Sequence, residues 1–124
     1  MSGFGEEQAR YPEAAAASTE APFEMANLYP RSTGLPMTVW VSPRGGARHD
    51  ARVKVCRVHG NRMSPDELVP VSIRPEPRLI EGDLPPEDLA AVSAWIRLNE
   101  EILLAYWDGS ADTTDLIRDL RPLR

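Results

Sequence analysis

With a single cysteine, Cys56, in 124 residues, the chain can form no internal disulfide, which excludes the cross-linked scaffold of many small secreted domains. Long apolar runs are also missing. The longest uncharged one, Ile102–Trp107, is far short of the roughly 20 residues that span a bilayer. The N-terminus carries acids where a secretory leader needs bases, and Ala14–Ala17 is too short for its apolar core. A cytoplasmic location is the expectation. One cysteine and two histidines fall short of the four ligands of a closed structural zinc site, and no two histidines stand one helical turn apart. Gly45-Gly46 is followed by no Lys-Ser or Lys-Thr pair and opens no helix, so it is not a phosphate loop. No catalytic residue, metal or cofactor is expected on these grounds.

Lysine is nearly absent as well: Lys54 is the single lysine among fourteen basic residues. Arginine forks onto carboxylate and phosphate, so the bias suits a binding surface; a GC-rich genome gives the same bias without function. Charge is unevenly spread. Residues 1–24 hold one base and five acids, residues 25–77 eight bases and four acids, and residues 78–124 five bases and ten acids. A basic middle therefore faces two acidic ends in a chain of net charge −5.

What is present is one small domain. Residues 1–30 mix Gly, Glu, Ala, Ser and Pro, with Phe4, Tyr11 and Phe23 too sparse to build a core, and read as an unstructured tail. Met25 offers a second start site, which would make the first 24 residues a start-site artefact; a regulatory tail is the rival. The domain proper is expected over residues 31–124. Met37–Ser42 alternates as a strand, Pro43 and Gly45-Gly46 supply turn chemistry, and Val53–Val58 resumes the strand pattern with a phase slip between Val55 and Val58 that predicts a bulge. The two strands form an antiparallel hairpin around the Arg44–Asp50 loop. Ser64-Pro65-Asp66-Glu67 reads as a capping box opening a turn of helix. Val69, Val71 and Ile73 mark a third strand, pushed to a sheet edge by Pro70, and Leu79–Glu81 a short fourth.

The clearest signal is Leu84–Gly109. Pro86 suits the first helical position, Glu87 and Asp88 complement the positive end of the dipole, and Asp108-Gly109 closes the helix. Leu89, Val92, Trp95, Ile96, Leu103, Tyr106 and Trp107 recur at spacings of three and four, an apolar stripe for the sheet. A second short helix is capped by Asp112 or Ser110, turns Leu116, Ile117 and Leu120 inward, and ends before Pro122. The expected fold is α+β: a small antiparallel sheet of three to four strands packed on one long and one short C-terminal helix.

For function, the basic hairpin stands out. Arg44, Arg48, Arg52, Lys54, Arg57 and Arg62 fall within nineteen residues, opposed only by Asp50. With Trp40 one strand away as a stacking surface, they form a candidate partner-binding surface for protein or nucleic acid. Their simplest structural role is pairing with the ten acids of the C-terminal region, within one molecule or across a dimer. His49, His59 and Asn99 form a possible polar site. Cys56 with His49, His59 and Asp50 is the one nucleophile-and-base set to test, because a thiolate needs an imidazole beside it; a buried inert thiol and two surface histidines are the plain reading. Asn99 interrupts the apolar stripe and, if buried, has to find hydrogen-bond partners in backbone or ligand.

The run Glu81-Gly82-Asp83-Leu84-Pro85, then Leu89, Val92, Trp95-Ile96, Leu103-Leu104, Trp107 and the closing Pro122-Leu123, resembles a family of short bacterial proteins classed as a domain of unknown function. Its members share a Gly-x-Leu-Pro link into a Trp-bearing C-terminal helix. The family often has a histidine-rich strand upstream, of which this chain keeps only His49 and His59. The resemblance implies a small accessory protein of mobile gene neighbourhoods, of a kind suspected as toxin–antitoxin partners, and carries no established activity. Three functional expectations follow: a non-enzymatic protein-interaction module, a nucleic-acid-binding or ribonuclease-like toxin using His49 or His59, and a homodimer that joins acidic helix to basic hairpin. No membrane partner is expected.

Overall fold

A computed structural model describes residues 25–62 and 64–123; the tail and start-site readings for residues 1–24 lie outside these. Strand β1 (Ala26–Leu28), a one-turn helix α1 (Pro30–Thr33) and strands β2 (Met37–Val41), β3 (Arg52–His59), β4 (Leu68–Ser72) and β5 (Arg78–Leu79) are followed by helices α2 (Pro86–Leu98), α3 (Glu100–Asp108) and α4 (Thr113–Asp119). The five strands pair in chain order, every pair antiparallel. The fold is α+β, as the sequence predicts, with one strand more than expected. That extra strand, β1, falls within the stretch read as tail; three residues are too few for a period of two to be visible.

Val39, Val41, Val53, Val55, Val69 and Val71 are buried and join Val92, Trp95, Ile96, Leu103, Tyr106, Trp107 and Leu116 in one cluster. Alternation puts these valines on one face of the sheet and Trp40, Arg52, Lys54, Pro70 and Ser72, all half-buried, on the other. Burying each large side chain contributes about 1.5–3 kcal/mol, which makes this seam the main source of stability. The bulge falls where the phase slip placed it. Met37 pairs with His59 but Val39 with Val55, so β3 spends two extra residues there, and Val55 and Cys56 are buried in succession.

Four local expectations need correction. β4 is not an edge strand: it lies between β3 and the two-residue β5. The Pro70 carbonyl accepts from Ile80 N–H, so its missing donor faces the side where β5 runs out. The Ser64 capping box does not form. A backbone turn, Glu67 N–H to Ser64 O at 2.9 Å, closes this 3-10 segment, and the Glu67 carboxylate goes to Arg57 instead. The long helix is divided at Asn99, whose φ of −115° and ψ of 17° leave the helical basin. Ile117 points outward, 61% exposed, while Leu116 is buried and Leu120 half-buried.

The chain's last described residues close the fold. Asn99 Nδ2 donates to the Trp95 and Arg121 carbonyls, each at 3.0 Å, and Asn99 Oδ1 accepts from Arg121 N–H at 2.7 Å. Leu123 N–H donates to Thr33 O at 2.7 Å, so the strap crosses the C-terminal end of α1. Gly34 caps α1 at φ +78°, and a Cβ there would run into the Leu123 backbone. At α4 the Asp112 carboxylate accepts from Asp115 N–H and the Asp115 carboxylate from Asp112 N–H, a reciprocal cap.

Candidate partner-binding hairpin

The connection between β2 and β3 is fixed at three points. Arg44 N–H donates to the Trp107 carbonyl at 2.9 Å, satisfying one of the carbonyls that the last turn of α3 leaves without a helical donor. Ala47 N–H donates to Arg44 O at 2.8 Å, closing a turn over Gly45-Gly46. At the far side, Asp50 is clasped by Arg74: Nε to Oδ1 at 3.0 Å and to Oδ2 at 3.2 Å, with Nη2 to Oδ1 at 2.9 Å. The Arg74 hydrogen bond, then the Ala51 N–H, hold the Asp50 carboxyl below the usual aspartate range, and Asp50 in turn raises Arg74.

These ties build a small cavity of about 110 Å³ at the end of the sheet. Trp40, Arg52 and Lys54 line it from the strands, Arg44 and His49 from the connection, and Trp107 from α3. Trp40 and Lys54 are directly opposite in register, and the Lys54 ammonium sits 4.9 Å from the centroid of the Trp40 ring, within cation–π range. The His49 ring packs 5.5 Å from Trp107, tilted by 32°. His49 Nδ1 lies 2.9 Å from the Asp50 carbonyl, which can only accept, so the proton is on Nδ1.

Of the residues expected in a partner surface, Trp40, Arg44, Arg52 and Lys54 are thus brought together. Arg48 and Arg62 are exposed outside the cavity. Arg57 leaves the set, since its guanidinium binds Glu67 at 2.8 Å. The pairing of these bases with the acids of residues 78–124 is not found among the described residues; the one pair made, Arg57–Glu67, is local.

His49, His59 and Asn99 do not converge. His49 precedes β3 and His59 ends it, and the seven steps from Arg52 to His59 alone cover about 23 Å. His59 Nε2 lies 2.9 Å from Asp88 Oδ2 in the first turn of α2. Asn99 is spent on Arg121 and Trp95. Cys56 is fully buried, and among the described residues no three His, Cys, Asp or Glu side chains are grouped to hold a metal ion. Nor is any helix long and apolar enough to cross a membrane.

Sequence reasoning missed Trp107 and Arg74. Trp107 carried the spacing of the core stripe and is 4% exposed, yet its ring packs on His49 and its carbonyl accepts from Arg44. Its place beside the terminating Asp108-Gly109, where a helix leaves carbonyls unsatisfied, was the available signal. Arg74 lies 24 residues from Asp50, and no local pattern couples them.

Residues 54–108 match a family described as a domain of unknown function (DUF4160). The match runs from within β3 to the end of α3, so the resemblance to a family of this kind holds over that stretch, while Pro122-Leu123 lies beyond it. No curated protein and no solved structure matches the chain.

Proposed function

We infer that this is a cytoplasmic, non-enzymatic interaction module that presents the β2–β3 hairpin to an acidic protein partner. The observation that carries the reading is electrostatic. Among the described residues Arg44, Arg48, Arg52, Lys54 and Arg62 form no ion pair, in a chain whose net charge is −5. Cations that no described residue pairs, on a molecule carrying excess acid, keep complementarity for another molecule. The rigid seat from Arg44 to Trp107 and the Asp50–Arg74 clasp lower the ordering cost of binding. A two-protein system of the toxin–antitoxin kind, in which the partner supplies the acidic surface, fits this reading.

A protein partner is favoured over nucleic acid because the basic residues make one short patch on an acidic molecule, whereas nucleic-acid binders carry basic stripes or faces. A ribonuclease-like toxin needs two acid–base groups within reach of one phosphate, and His49 and His59 stand at opposite ends of β3.

The test is fluorescence anisotropy with a labelled 20-residue polyglutamate and a labelled single-stranded RNA of equal charge, each at two salt concentrations. Polyglutamate is expected to bind, more weakly at the higher salt, and to lose at least ten-fold in affinity with Arg44→Glu and Arg48→Glu together. Tighter binding of the RNA, or growth arrest on expression that His49→Ala abolishes, overturns the reading.

A further inference from the structure

We propose that the cavity between Trp40, Arg52 and Trp107 is a binding site for a phosphoryl dianion, either free phosphate or the phosphate monoester of a larger molecule. The inference rests on the hairpin being the partner surface and names the chemistry that its most enclosed part selects.

Size comes first. At about 30 Å³ per water, a cavity of about 110 Å³ holds the equivalent of three or four waters. That admits an oxyanion and leaves no room for a nucleobase with its sugar. Charge comes second. Arg44, Arg52 and Lys54 line the cavity and no carboxylate does. The nearest acid in the connection, Asp50, has its carboxylate occupied by Arg74. Three cations lining so small a volume suit a double negative charge better than a single one.

The third argument is an unmade bond. Arg52 Nε is buried and, among the described residues, has no hydrogen-bond partner. That atom is closed to a water-sized group, but Arg52 as a whole is half-buried, and its terminal guanidinium nitrogens are the donors that a phosphoryl oxygen in the cavity would meet. Arg forks match phosphate geometry. Lys54 is held over Trp40, which positions the ammonium and leaves that indole face covered, so the ring serves the cation and does not stack a base. The Arg44 backbone N–H is already given to Trp107, which leaves its guanidinium to act.

Trp40 and Trp107 report directly on occupancy. Titration with inorganic phosphate and, separately, with O-phosphoserine, at constant ionic strength made up with chloride, is expected to change tryptophan fluorescence saturably. Arg52→Gln is expected to weaken both at least ten-fold, whereas Arg62→Gln, outside the cavity, leaves them within two-fold. Tighter binding of O-phosphoserine identifies a carried phosphoryl group as the ligand, and tighter binding of phosphate identifies the free ion; either result supports the site. Two results overturn it: no saturable response beyond the chloride control, or an Arg52→Gln protein of unchanged urea midpoint that binds both probes as the parent does. If polyglutamate binding persists in that case, the cavity is rejected and the partner surface stands; if it is lost too, both fall.

Discussion

Asn99 and Arg121 pair as two strand residues would, the Asn99 amide accepting from Arg121 N–H at 2.7 Å and donating to Arg121 O at 3.0 Å. A side chain here imitates a peptide group. The place where the helix is divided is thereby the place where the C-terminal strap is fastened. Asn99 is 3% exposed, and removing its amide gives up three hydrogen bonds, each worth about 0.5–1.5 kcal/mol net. Asn99→Ala is expected to lower stability by about 2 kcal/mol in urea denaturation; a midpoint at or above that of the parent would show the pairing to be idle.

Gly34 makes a coupled prediction. Its left-handed φ costs a Cβ-bearing residue about 1–2 kcal/mol, and the added methyl also meets the Leu123 backbone. Gly34→Ala should therefore destabilise by more than the conformational term alone. Deleting residues 122–124 costs stability by itself but removes the collision, so in that background Gly34→Ala should fall back to about 1–2 kcal/mol. Additive losses in the cycle would mean that the methyl never touches the strap.

The Asp50–Arg74 clasp predicts an acid limb. Asp50 is held below its ordinary value of 3.8 by Arg74, and a depressed carboxylate stabilises the fold at pH values above its unfolded pKa. That contribution is lost as pH falls from near 3.8 through the lower folded value. Urea midpoints of the parent and of Asp50→Asn should therefore differ at pH 5 and draw together as pH falls below 3.8. A gap that persists undiminished into acid would assign the difference to something other than the carboxylate charge. Both partners are substantially exposed, so the gap should also shrink in high salt.

Lys54 and Trp40 give a fourth test. A double-mutant cycle between Lys54→Met and Trp40→Leu should return a coupling of about 0.5–1 kcal/mol, the usual worth of a partly exposed cation over an indole. Methionine keeps the stem that covers the ring, so the cycle isolates the charge. A coupling within error of zero would make the 4.9 Å approach a matter of register alone.

Much of the fold was legible because it rests on local periodicity. The stripe from Leu89 to Trp107 and the alternation in Met37–Val41 and Arg52–His59 each carry enough repeats to be read from the chain. The bulge was readable for the same reason, since β3 shows its phase slip internally. Signals broke down where a long-range partner overrode a local motif. Ser64 and Glu67 have the spacing of a cap, yet Arg57, from the neighbouring strand, takes the carboxylate. Asn99 stood out as an interruption, but its partner Arg121 is 22 residues downstream. The candidate site was half visible: clustered arginines are a property of sequence, while the closing of Trp107, His49 and Arg52 around one volume depends on how the sheet ends against α3. Ile117 failed for a simpler reason, because a two-turn helix gives too few repeats to separate an inward position from its neighbour.

The bond from Leu123 N–H to Thr33 O joins positions ninety apart in the chain. During translation α1 leaves the ribosome long before its strap is made, so the carbonyl of Thr33, a residue buried in the finished fold, is without its Leu123 donor throughout that interval. Only after residue 123 has emerged can the molecule lock both ends of the strap at once.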